Sequence, residues 1–277
     1  MRKNLVLLVI IFSIPGLVFS QGIWPRLKEK LPDNFITISS KNTLKEREII
    51  KKEADAIYKF FENQCDAAVR SCPIELDWRI VPLESYAITY LSSEPAKKTL
   101  IRLRSELKNS PLAHELCHAF LQNYEFYIKP PASCKKISSS IHEGVCMLFN
   151  DKNRHKMEYQ TMEWMLKNPN DPRSVFRSVD EILNSSKNIS PTDFIEFVNT
   201  GYFFKYLYHQ GGGLSNVLKF IAIYLKGDSW DAAIKEVYKP ILGAETVMEL
   251  DELYRSWLLK SIKKGQLPII DPTVLLK

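Results

Sequence analysis

Between Thr43 and Cys65 the apolar residues fall at Ile49, Ile50, Ala54, Ile57, Phe60 and Phe61, the spacing of one helix face. Thr43 with Glu46 three residues on forms a capping box at its start. Residues 21–42 read as a lead-in, with turn signals at Pro32-Asp33-Asn34. After the helix the pattern shortens. Leu76–Val81, Tyr86–Leu91 and Leu100–Leu103 are short runs rich in β-branched and aromatic residues, punctuated by Pro82 and by Ser92-Ser93-Glu94-Pro95. Their connections are too short for crossover helices, which predicts antiparallel pairing. From Ser110 the helical period dominates. The spacing predicts helices from Ser110 to about Tyr127, Ser138–Asn150, His155–Lys167, Thr192–His209, Leu214–Lys226, Asp231–Tyr238 and Glu245–Ile262. Strands followed by a helical half predict an α+β fold. No internal linker divides it, so residues 21–277 read as one unit with lobes at about 21–109 and 110–277.

The first twenty residues follow a different pattern. Arg2 and Lys3 precede an almost wholly apolar run from Leu5 to Phe19, and Val18 and Ser20 are small. This reads as a secretory signal cleaved after Ser20, which predicts a secreted or periplasmic protein with no membrane span once the signal is gone.

Composition adds exclusions. The chain has 277 residues, 45% of them hydrophobic and 11% aromatic, which argues against disorder. A net charge of +6, with the lysines scattered, makes nucleic acid a poor partner. Five cysteines are too few for a disulfide scaffold, and no CxxC motif is present. Cys65 with Cys72, and Cys134 with Cys146, are candidate pairs in an exported protein; Cys117 is the fifth.

The chemistry concentrates in two motifs. His114-Glu115-Leu116-Cys117-His118 places two imidazoles one helical turn apart on one face, able to share a Zn²⁺ ion. Glu115 lies beside them, positioned to take a proton from water. A third ligand is required. Position 124, where an extended motif would carry another histidine, is Tyr124. The best downstream candidate is Glu143 in Ile141-His142-Glu143-Gly144-Val145, with His142 as its rival.

Together these motifs resemble the gluzincin metallopeptidases, closest to families related to the zinc aminopeptidases, whose second motif reads Trp-Leu-x-Glu-Gly-Leu-Ala. Gly201-Tyr202-Phe203-Phe204-Lys205-Tyr206-Leu207 with Gly211-Gly212 is similar to a later helix of those families. Gly227–Ala233 and Tyr254–Leu258 resemble the helices after it. The resemblance implies a zincin-like fold and one Zn²⁺ held by His114, His118 and Glu143. It also implies Glu115 as general base and Tyr202 as donor to the oxyanion. Ile101–Arg104 would be the edge strand that pairs with an extended substrate. The chain departs from the pattern at His142, Cys146 and Met147. Met147 stands four residues after Glu143, where some relatives carry an Asp that orients a ligand histidine. The implied function is an exported zinc peptidase acting on peptide or protein substrates. The alternative is an inactive zincin-fold binding or structural protein of the cell envelope.

Overall fold

The computed structural model describes residues 35–39, 43–65, 69, 72–79, 87–91, 97–104, 112–129, 135–185 and 193–264. The signal segment, Ser110-Pro111, Pro130-Pro131 and Cys134 lie outside them.

The order is β1 (Ile36–Ile38), α1 (Leu44–Asn63), β2 (Ile74–Arg79), β3 (Ala87–Tyr90), β4 (Thr99–Arg104), α2 (Leu112–Ile128) and α3 (Ser139–Cys146). A 3₁₀ turn, Met147–Phe149, extends α3. Then come α4 (Lys152–Lys167), α5 (Val179–Leu183), α6 (Phe194–Gln210), α7 (Leu214–Leu225), α8 (Trp230–Val237), α9 (Lys239–Leu242) and α10 (Val247–Lys263). The fold is mixed and mostly helical. Among the described residues no helix is long and apolar enough to cross a membrane.

The sheet corrects the antiparallel expectation. Its strand order is β1-β2-β4-β3, and β1, β2 and β4 run parallel. Two causes operate. Ile36–Ile38, inside the supposed lead-in, is a strand, and α1 is the crossover that returns the chain parallel to it. Past β2, the chain skips one strand position to form β3 at the far edge, then folds back as β4 into the gap. Only β3 is antiparallel, pairing Thr89 with Ile101. Consecutive strands β2 and β3 are not neighbours, so a rule based on connection length failed. The same topology moves the edge. Ile101–Leu103 is paired on both sides, and β3 is the edge strand beside α2.

Central strands are buried, as parallel sheets require: Ile74, Leu76, Thr99 and Ile101 are fully enclosed. The capping box at Thr43 forms as the sequence predicts, and α1 turns Ile50, Ala54, Ile57, Tyr58 and Phe61 inward. They meet α2, where Phe120 packs against Tyr58 and Phe61 with ring centroids 5.8 and 5.2 Å apart. Asn123 of α2 is wholly buried, yet every bond is met: its amide accepts from the Cys72 N–H at 2.8 Å and donates to Tyr58 Oη at 2.9 Å. This network locks α2 against the sheet and fixes the helix that carries the first motif. Helix α6 is buried from Phe197 to Leu207 and is the axle of the helical half.

The short helices α5 and α9 were not anticipated. Ser178 and Glu181 make a capping box at α5, a signal present in the sequence.

Candidate metal centre

His114 and His118 lie on α2, one turn apart, with ring centroids separated by 4.9 Å. Glu143 reaches them from α3. Ser138 caps that helix, its hydroxyl accepting from the Ile141 N–H at 3.3 Å. The three side chains meet in a triangle. His114 Nε2 and His118 Nε2 are 3.2 Å apart, and each lies 3.5 Å from Glu143 Oε2. A tetrahedral ion with bonds of about 2.05 Å requires ligand atoms about 3.3 Å apart. The three edges therefore fit one small tetrahedral cation, and among the described residues no fourth His, Cys, Asp or Glu joins them. Two nitrogens and one oxygen are a donor set that Zn²⁺ accepts.

The electrostatics agree. Burial pushes the Glu143 carboxyl up, but hydrogen bonds from His114 and His118 outweigh it and hold the pKa well below the usual carboxylate range. For His114, burial lowers the pKa, while the contact with Glu143 and the nearby Glu115 charge win and raise it.

His142, the rival ligand, does not join the triangle. Its ring stacks on His118, centroids 5.8 Å apart at 18°. Burial, then the His118 charge, push its pKa down to about 3, so it is a neutral buttress. Among the described residues its Nδ1 is buried without a hydrogen-bond partner, as is His114 Nδ1. Met147, in place of an orienting acid, packs on Gly201 instead.

Glu115 is 7% exposed. The Thr89 hydroxyl on β3 donates to Glu115 Oε2 and lies 3.4 Å from the Glu115 carbonyl oxygen. Sequence reading missed Thr89, because only the strand order brings it to α2.

No family model, curated protein or solved structure matches this chain.

Tyr202 is 1% exposed on α6, with Lys205 Nζ 4.6 Å over its ring. Burial, then the nearby Glu158 charge, push its hydroxyl pKa up. Lys205 donates to Glu158 Oε2, and Asn150 Nδ2 donates to Glu158 Oε1 at 2.6 Å. His155 Nδ1 is 3.3 Å from Glu158 Oε2. This buried polar cluster ties α4 to α6.

Cys117 and Cys146 are free thiols, and Cys134, the partner expected for Cys146, lies outside the described residues. Cys146 of α3 is hydrogen-bonded to Cys117 of α2 instead, and burial pushes its thiol up. Buried, protonated thiols act as small apolar residues.

Close packing sets the position of Glu143. A Cβ at Gly144 would collide with Phe204 Cδ2 and lie 2.5 Å from Thr200 Cγ2, both on α6. Gly144→Ala should push α3 away from α6, cost about 1–3 kcal/mol and weaken metal binding. Urea unfolding and a competitive zinc titration read both effects; unchanged values in each would show that the contact is slack.

Proposed function

We propose that the protein is a zinc-dependent peptidase, exported by its N-terminal segment. The observation that carries this reading is the triangle of His114 Nε2, His118 Nε2 and Glu143 Oε2 beside a buried glutamate one residue along the same helix. A purely structural site would close its fourth corner and would have no use for Glu115.

Each group has a distinct task. His114, His118 and Glu143 would hold the ion through two imidazole nitrogens and one carboxylate oxygen. When bound, such an ion supplies Lewis-acid polarisation of the scissile carbonyl and acidifies the attacking water. Glu115 takes the proton from that water and passes it to the departing amine nitrogen. Strand β3 offers a backbone edge to an extended peptide, the role first expected of Ile101–Arg104. Tyr202 is left out of the chemistry, because a ring 1% exposed has no surface for a substrate.

Metal analysis of the purified protein beside His118→Ala and Glu143→Ala tests the site. About one zinc per chain is expected in the wild type, with affinity reduced by about 100-fold or more in each variant. Variants that hold zinc as tightly as the wild type would sink the assignment. A peptide-library digest then separates a peptidase from a zinc-binding protein without turnover.

A further inference from the structure

We propose that Thr89 is a positioning residue for the base. Its hydroxyl pins the Glu115 carboxylate to the edge strand and leaves the second oxygen, Oε1, free to meet water. The proposal rests on the peptidase reading above.

Glu115 has three rotatable side-chain bonds and stands one residue past His114, about 100° round the helix from it. Nothing in the helix itself selects the rotamer that faces the ion. Thr89 supplies the selection. Its β-branched side chain is stiff at χ1, and the sheet fixes its backbone through pairing with Ile101. The hydroxyl donates to Oε2 and lies 3.4 Å from the backbone carbonyl of the same glutamate. A bond from a neutral donor to an ionised acceptor is charge-assisted and directional. The contact also joins two functions. The strand that would align a peptide carries the group that aims the base, so both keep one register.

The test uses zinc-loaded full chain with Thr89→Val, which keeps the shape and loses the hydroxyl, and Thr89→Ser, which keeps the hydroxyl. In Thr89→Val, kcat should fall about tenfold with KM and zinc content held, less than removal of the base itself would cost. Thr89→Ser should stay within about threefold of the wild type. A second readout needs no turnover: calorimetric binding of acetohydroxamate, which ligates zinc and gives its proton to a nearby base. Its affinity should weaken about tenfold in Thr89→Val and recover in Thr89→Ser. Equal kcat and equal hydroxamate affinity in Thr89→Val and wild type would overturn the proposal. Equal impairment in both variants would do so too, marking Thr89 as packing alone. A zinc-loaded wild type that cleaves no peptide refutes the peptidase reading instead, and the hydroxamate series still decides whether Thr89 aims Glu115.

Discussion

Glu115→Gln is expected to keep its zinc and lose about 10²–10⁴-fold in peptide hydrolysis, the range for removal of a placed general base. Gln has the same shape, and its amide oxygen can still accept from the Thr89 hydroxyl. The helix is unaffected, because Glu and Gln have similar helix propensity. Only the ability to take and return a proton is lost. Glu115 is nearly enclosed between α2 and β3, so bulk water is a poor substitute for it. Turnover on a fluorogenic peptide, with zinc content measured on the same sample, reads the effect. A variant within tenfold of the wild type would remove Glu115 from the mechanism. A variant that lost its zinc would mean the residue also holds the site together, and the activity loss could not then be assigned to proton transfer.

The parts of this site that were legible in the sequence are local. His114 and His118 are one turn apart, so the helix alone puts them on one face. The cap at Thr43 satisfies nearby N–H groups and formed where the sequence placed it. Glu143 was harder, because His142 at the neighbouring position carries an equally good donor. Tertiary packing chooses between them: Gly144 sets α3 against α6, and from there Glu143 faces α2 while the His142 ring lies on His118. Strand order was not legible. Three residues, Ile36–Ile38, are too few to stand out as a strand, and their partner β2 lies beyond a 20-residue helix. Thr89 and Glu115 are brought together by that strand order, as Lys205 and Glu158 are by helix packing. Neither pairing has a periodic signal. Tyr202 had the right residue type in a suggestive motif, but the face of α6 that carries it turns into the core.

Lys205→Met should destabilise the protein by about 3–5 kcal/mol near neutral pH, the usual cost of leaving a buried charge unpaired. Lys205 and Glu158 have 2% and 0% of their side chains exposed. The two partners respond differently to burial. For Glu158 burial pushes the pKa up, but Lys205, then His155, outweigh it and bring it down to about 2. For Lys205 burial dominates, and its pKa falls despite Glu158. The pair is thus better replaced whole than halved. The acid dependence follows from Glu158. Its folded pKa is below the unfolded value, so its stabilisation is complete above about pH 4.5 and fades as pH falls toward about 2. Lys205→Met lacks most of that stabilisation already. Its deficit against the wild type should therefore be largest near pH 7 and shrink by about pH 3. Replacing both charges, as Glu158→Gln with Lys205→Met, should recover much of the loss, since Gln keeps a partner for Asn150 and carries no charge to strand. Urea midpoints of the metal-free chains at the two pH values measure this. A Lys205→Met midpoint equal to the wild type at pH 7 would mean that Glu158 finds its countercharge elsewhere; His155 at 3.3 Å and Arg154 at 4.0 Å are the neighbours that could supply it.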